Sequence, residues 1–251
     1  MYLLWVKNDM EKVKKQKHRP YSFYEKNIKR PLDCYLAAIA LIVLSPVIII
    51  IAFLVRIKLG KPVLFVQERP GLNEKIFRLK KFRTMLDAQT RDGKRISDKE
   101  RTELIEKGVD VLSDEERLTK FGRILRATSL DELPELWNIF VGDMSIVGPR
   151  PLSTAYLPYY NDYEKQRHSV RPGLTGSAQV NGRNAASWEE RFKHDVEYAK
   201  KITFLGDLKI IIKTLLVVVK HNDIGQGKEI PESFHVVRQA EWEKEKNEHN
   251  G

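Results

Sequence analysis

Two stretches hold the residues best suited to chemistry: Arg126-Ala-Thr-Ser-Leu-Asp-Glu-Leu-Pro134 and, soon after it, Gly142-Asp-Met-Ser-Ile-Val-Gly-Pro-Arg-Pro151. Asp131 and Glu132 are adjacent carboxylates, with Arg126 before them and Arg150 after. An acid pair among guanidinium groups suits reaction at a phosphate. A carboxylate can attack phosphorus or hold a metal ion, and the cations take up the charge that develops. Pro149 and Pro151 enclose Arg150. They restrict the backbone and oppose helix, so the arginine stands on a stiff extended loop with its fork free for bidentate contact with phosphate oxygens. The plainer alternatives are that the acid pair only caps a helix and that Arg150 sits idle on a rigid turn.

The elements around these residues can be read locally. Ser129-x-x-Glu132 has the form of a capping box, and Leu133, Leu136, Trp137, Ile139 and Phe140 follow at helical spacing. The helix then starts at Ser129 or at Asp131. Pro134 lies past the first turn in the first case and fits among the orphan N–H groups in the second. In both cases the carboxylates lie at the positive end of the helix dipole, which also attracts phosphate.

The chain of 251 residues carries a formal net charge of +10 and a pI of about 9.5, so anionic partners are expected. A single cysteine, Cys34, excludes an internal disulfide and fits a cytoplasm-facing protein. The N-terminal twenty residues do not read as a signal peptide, because the apolar run at Tyr2–Val6 is short and charges follow it. Tyr35–Val55 is apolar apart from Ser45-Pro46, about the length that crosses a bilayer. Two features oppose a plain crossing. Pro46 sits at its centre beside a serine that can bond the freed carbonyls. Basic residues also flank both ends: Lys26, Lys29 and Arg30 before, Arg56, Lys58 and Lys61 after. By the positive-inside rule both ends stay on one face, which predicts a re-entrant helical hairpin broken at Ser45 and Pro46. Leu208–Val219 is too short to span. With Lys209, Lys213 and Lys220 it reads as an interfacial amphipathic helix or, equally, as a core helix.

The remaining segments fill in an α+β (mixed), mostly helical fold. Val63–Glu68 and Lys75–Arg83 predict a small β-hairpin turning at Arg69-Pro70-Gly71, with a basic face on the second strand. The basic balance raises nucleic acid as a partner, but no recurrent aromatic platform supports it, and the apolar segment opposes it. Residues 87–117 read as a polar, helical or mobile insertion, followed by a short helix at Leu118–Leu125 whose basic edge runs toward Arg126. Between Ser169 and Arg183, two glycine turns enclose a β-like Ala178-Gln-Val180. Trp188–Lys200 predicts a helix exposing Glu189, Arg191 and Asp195. The expected organisation is an N-terminal arm at 1–28, the hairpin at 29–58, a catalytic domain at 59–224 and a polar, peripheral tail at 225–251.

Several of these segments recur together in one known family. The basic-flanked apolar hairpin with Ser45-Pro46, Lys81-Phe-Arg-Thr-Met85, the Arg126–Pro134 stretch, Gly142–Leu152, Arg171-Pro-Gly-Leu-Thr-Gly176 and Gln179-Val-Asn-Gly-Arg183 occur in this order. From roughly Lys29 to Asp223 the chain resembles the bacterial sugar transferases, the monotopic polyprenyl-phosphate phosphoglycosyl transferases, in their small single-domain branch. The resemblance implies a monotopic enzyme on the cytoplasmic face of the bacterial inner membrane. It would transfer a sugar-1-phosphate from a UDP-sugar to undecaprenyl phosphate and release UMP, priming capsule, exopolysaccharide, O-antigen or glycoprotein glycan assembly. It implies that Asp131 is the nucleophile of a covalent phosphosugar intermediate, that Glu132 with Asp131 holds Mg²⁺, and that Arg126 and Arg150 line the phosphate site. Arg83, Arg171 and Arg183, inside the matching motifs, join them as candidate phosphate- or substrate-binding residues. Membrane lipids are the further partner implied. Ser177 departs from the tryptophan common in the family, and the 87–117 insertion is long for it. The competing class is a non-catalytic, membrane-attached basic scaffold, for which the acid pair beside Gly148–Pro151 has no use.

Overall fold

The computed structural model describes residues 18–181, 187–219 and 233–248. A π-helical turn at Tyr24–Ile28 leads into α1 (Lys29–Val43), which meets α2 (Ser45–Lys58) at a 64° bend. The bend falls where Pro46 lacks an N–H and where Ser45 Oγ donates to the Ile42 carbonyl at 2.7 Å. Among the described residues no single helix is long and apolar enough to cross a membrane, although this bent pair has the composition to enter one. Ile39, Ile42, Ile49, Ile50, Phe53 and Ile57 on the pair are exposed.

The hairpin is fastened to the rest of the chain by polar groups at its base. On α1 the buried positions are Lys29, Asp33 and Ala37, one stripe at i, i+4 and i+8. Lys29 Nζ reaches Asp207 at 2.6 Å, and the hydroxyls of Tyr24 and Tyr198 donate to the same carboxylate at 2.9 and 2.8 Å. Asp33 accepts from Ser145 Oγ at 2.6 Å and from the Ile146 amide at 3.3 Å. Buried charges are tolerated when paired in this way, and the pairing sets the angle and depth of the hairpin against the domain.

The predicted β-hairpin forms. β1 (Leu64–Pro70) pairs antiparallel with β2 (Ile76–Phe82), but Arg69 and Pro70 lie in the strand and the turn runs through Gly71–Lys75. Alternation buries Phe77 and Leu79 of β2 against Ala37 of α1 and Leu136 and Ile139 of the helix after the acid pair. The insertion is helical, with α3 (Asp98–Glu106) and α4 (Asp114–Arg117) each started by a serine capping box. α5 (Lys120–Ala127), α6 (Glu135–Val141), β3 (Ser145–Val147), the single turn α7 (Asp162–Lys165) and β4 (Gly173–Thr175) follow, with β3 and β4 paired in parallel.

Three expectations are corrected here. Ala178–Val180 is not a strand but lies in α8 (Ser177–Asn181), directly after the strand that the glycine turn forms instead. α9 (Trp188–Lys200) has the predicted span, yet Asp195 is 3% exposed because it faces Arg167 rather than solvent. The tail is not wholly peripheral. After α10 (Phe204–Val219), α11 (Phe234–Glu248) seats Phe234, 1% exposed, among Tyr156, Tyr160, Trp188 and Phe192. Aromatic rings in edge and stacked contact hold an element that a polar composition alone would leave loose. On α10 Ile210 is buried, while Leu205, Leu208, Ile212, Leu215 and Leu216 are exposed, so the helix is amphipathic and half seated in the core.

Candidate active site

The acid pair sits on a 3₁₀ turn, Leu130–Glu132, rather than in a capping box. Ser129 has φ 55° and ψ 17°, a left-handed conformation that closes α5, and its amide donates to the Arg126 carbonyl at 3.1 Å. Its side chain does not cap, and Glu132 does not reach back, because other cations hold Glu132. The N-cap of α6 is Pro134, not Ser129 or Asp131, so the proline occupies a position where the missing N–H would have no helical partner. A left-handed serine is an uncommon, strained backbone feature. Here it turns the chain sharply enough to present Asp131 and Glu132 between two helices.

Around Glu132 the structure assembles a charge cluster from distant parts of the chain. Lys81 Nζ lies 2.5 Å from Glu132 Oε1 and 3.0 Å from Glu135 Oε1. Arg150 Nη2 lies 3.3 Å from the same Glu132 oxygen. Lys81 is brought there by β2, whose alternation places it on the face of Phe77 and Leu79. Buried Asn138 of α6 then locks the strand in register, donating to the Arg78 carbonyl at 2.8 Å and accepting from the Lys80 amide at 3.2 Å. Burial pushes the Glu132 carboxyl up, but Arg150 and Lys81 outweigh it and hold the group below its ordinary range. Burial raises Glu135 to about 7, against the opposing pull of Lys81. Asp131, buried and in no ion pair among the described residues, is raised by burial and then by the charge of Glu132. Lys81 and Arg126 act on it in the opposite sense.

Arg150 is carried by a loop fixed at both ends. The Gly148 amide donates to the Thr175 carbonyl at 2.8 Å, and the Gly173 amide donates to the Pro149 carbonyl at 3.0 Å. The two strands approach so closely that a Cβ on Gly148 would meet the Arg171 carbonyl oxygen at 2.4 Å. Arg167, fully buried, donates from Nη2 to the Arg150 carbonyl at 2.7 Å and binds Asp195 at 2.7 Å. A cleft of about 300 Å³ opens beside this cluster, walled by Lys81, Glu135, Arg150, Arg69, Tyr156 and Trp188 among others. Asp131 and Glu132 do not line it; Glu132 is joined to it through Lys81 and Arg150.

The other sequence candidates fall in different places. Arg126 does not line the cleft; its Nε donates to Thr84 Oγ1 at 3.1 Å. Arg83 is directed elsewhere: buried, it donates to the carbonyls of Leu59, Lys61, Pro62 and Met85, which tie the end of β2 to the segment after α2. Arg171 donates to the Gly142 carbonyl at 2.9 Å, and with Arg30 it satisfies the free carbonyls at the C-terminal end of α6. These two arginines build the fold around the cluster rather than entering it. Arg183 lies outside the described residues. Ser45 and Pro46 form the bend between α1 and α2. Lys81, Glu135 and Arg167 are neighbours of the cluster that the sequence candidates lacked. For Lys81 the strand alternation carried the signal; for the other two no local pattern did.

Among the described residues no three metal-type ligands converge. The donor set still fits Mg²⁺, which commonly takes one or two carboxylates and completes its shell with water and substrate phosphates. Asp131, an oxygen donor raised by burial and without an ion pair, is the kind of group a cation would satisfy.

The sequence model described as "Bacterial sugar transferase" matches residues 24–221. Over 199 residues the chain is 45% identical to the uncharacterized sugar transferase EpsL of Bacillus subtilis (strain 168), spanning 79% of this chain and 91% of EpsL. It is 39% identical over 201 residues to the galactosyl transferase CpsE of Streptococcus agalactiae serotype III (strain NEM316), spanning 79% of this chain but 44% of CpsE. It is 36% identical over 196 residues to the UDP-glucose:undecaprenyl-phosphate glucose-1-phosphate transferase of Caulobacter vibrioides (strain ATCC 19089 / CIP 103742 / CB 15), spanning 74% and 68% of the two chains.

Proposed function

The chain belongs to the bacterial sugar transferase family, and from that premise we propose that it moves a sugar-1-phosphate from a UDP-sugar to undecaprenyl phosphate. The product is polyprenyl-diphosphate-sugar, and UMP is released. The observation that carries this reading is the cluster of Glu132, Lys81 and Arg150, the last two walling a cleft, with a buried, ion-pair-free Asp131 next to Glu132 in the chain. The printed name of the Caulobacter relative supports it.

In the proposed course an Asp131 oxygen attacks the sugar-linked phosphorus and the anhydride bond to the nucleotide phosphate breaks. UMP leaves, and an aspartyl-phosphosugar remains. An oxygen of undecaprenyl phosphate then attacks the same phosphorus, and the bond to Asp131 breaks to restore the carboxylate. Dividing the transfer lets one cation cage serve both displacements. Arg150 and Lys81 neutralise charge on the transferred phosphate. Arg126 biases Asp131 toward its ionised form. Glu132 orients Lys81 and Arg150, and with Asp131 it would hold Mg²⁺, whose positive charge would further polarise the diphosphate.

The bent helix pair and α10 support membrane attachment from one side, with the re-entrant hairpin broken at Ser45-Pro46 and the catalytic domain on the cytoplasmic face of the inner membrane. That depth brings the site to the lipid phosphate. The step would initiate exopolysaccharide, capsule, O-antigen or glycoprotein glycan assembly. The test is UMP release by the detergent-purified chain given undecaprenyl phosphate and a panel of UDP-sugars. Release that needs both substrates for continued turnover, stops in EDTA and returns with Mg²⁺ is expected. A folded protein that releases no UMP from any UDP-sugar would overturn the reading, and full turnover in EDTA would remove the metal from it.

A further inference from the structure

We infer that Arg69 is a second phosphate-binding guanidinium of the cleft, held ready by Gln67. The inference rests on the phosphoryl-transfer reading above and adds a residue to it.

The hairpin register supplies the placement. Gln67 lies opposite Leu79, and Arg69 lies opposite Phe77. Directly paired residues share a face of an antiparallel ladder, and alternate residues along a strand share it too. Arg69, Gln67, Leu79 and Lys81 therefore project from one face, and all four wall the same cleft as Arg150. The strand that brings Lys81 to Glu132 thus has a neighbour that brings a further cation beside it.

The state of the Arg69 side chain points to a ligand. Its Nη2 donates to Gln67 Oε1 at 2.6 Å, which fixes the fork. Its Nε is buried and has no hydrogen-bond partner. No carboxylate pairs with it among the described residues, whereas Arg150 has Glu132, Arg167 has Asp195 and Arg238 has Glu164. Burial, and after it the charge of Arg150, depresses the affinity of Arg69 for its proton. A buried guanidinium N–H without an acceptor is uncommon and calls for a reason. Two guanidinium groups in one cleft repel each other unless an anion lies between them. A phosphate oxygen satisfies the empty donor and removes the repulsion together. Such an oxygen belongs to the nucleotide donor or to the lipid acceptor, and the kinetics distinguish the two.

The experiment uses the full chain in detergent with Arg69→Gln and Arg69→Lys. Calorimetric binding of inorganic pyrophosphate, which needs no turnover, should weaken at least roughly tenfold in Arg69→Gln, the effect of one charged contact. Arg69→Lys should recover part of it. A rise in KM for the UDP-sugar assigns the contact to the donor, and a rise in KM for undecaprenyl phosphate assigns it to the acceptor. A folded Arg69→Gln with unchanged pyrophosphate binding and both KM values unchanged overturns the inference. If neither variant folds, phenylglyoxal labelling of wild-type Arg69, read by peptide mass, replaces them. Protection by pyrophosphate supports the inference, and equal labelling with and without it overturns it. A wild type that binds pyrophosphate through Arg69 yet releases no UMP would sink the functional reading and leave this site standing.

Discussion

Replacing Arg167 with methionine should unfold the protein at a much lower temperature, and the reason lies in three contacts. Its guanidinium meets Asp195 Oδ2 from Nε at 3.0 Å and from Nη2 at 2.7 Å, and the same Nη2 donates to the Arg150 carbonyl at 2.7 Å. Both partners of the ion pair are buried, so removing one leaves an uncompensated charge, at about 3–5 kcal/mol. For a chain of this length each kcal/mol moves the midpoint by about 2–4 °C, so Arg167→Met should lower Tm by about 10 °C. The informative variant is the double, Arg167→Met with Asp195→Leu. With both charges gone, most of the stability should return. The Arg150 carbonyl still lacks its donor, so the loop should sample other positions and kcat/KM should stay down by about tenfold or more, equivalent to roughly 1.4 kcal/mol of transition-state stabilisation. Thermal unfolding followed by circular dichroism, together with initial rates of UMP release, separates the two effects. A double variant with wild-type kcat/KM would refute the idea that Arg167 positions Arg150. A single variant within 1 °C of wild type would refute the energetics.

The Glu135 carboxyl is raised from its ordinary range to about 7, so the folded state holds a proton that the unfolded chain releases near its ordinary pKa. Folding stability from this group therefore falls as pH rises through that window. Glu135→Gln should raise Tm at pH 8, by up to about 3 kcal/mol in stability, and leave it unchanged near pH 4; equal shifts at both would contradict this. Gly148→Ala should lower Tm and reduce UMP release at least about tenfold, because the added Cβ meets the Arg171 carbonyl oxygen at 2.4 Å and spreads β3 from β4. A wild-type rate would show that the Arg150 loop tolerates displacement. Phe234→Ala should destabilise by about 3–5 kcal/mol and free α11 for protease, measured by chemical unfolding and limited digestion; a change under 1 kcal/mol would make α11 an ornament.

Local order was legible in the sequence, and distant pairing was not. Ser45-Pro46 marked the helix break because a missing N–H acts on its own helix. Trp188–Lys200 and the β-hairpin followed from periodicity. The acid pair and Arg150 were visible as residue types in restricted backbone. The capping box at Ser129 failed because Glu132 is held by Lys81 and Arg150, partners that a four-residue pattern does not contain. Asp195 was read as exposed on the polar side of a helix, since its partner Arg167 comes from a 3₁₀ turn with no signature of its own. The polar stretch after Gly225 hid Phe234, one aromatic residue whose burial depends on a pocket made by four other rings. Arg83 and Arg171 carry the same group as Arg150, and only the position of unsatisfied main-chain carbonyls separates their roles.

A covalent bond at Asp131 is the central step of the proposed transfer. Intact-mass measurement of the purified chain incubated with its UDP-sugar and Mg²⁺, without undecaprenyl phosphate, tests it most directly. The prediction is one phosphosugar adduct per chain, about one equivalent of UMP released with it, peptide mapping to Asp131, discharge on adding undecaprenyl phosphate, and no adduct in a folded Asp131→Asn. Absence of any adduct in a preparation that turns over once the lipid is added, or an adduct persisting in Asp131→Asn, would contradict it.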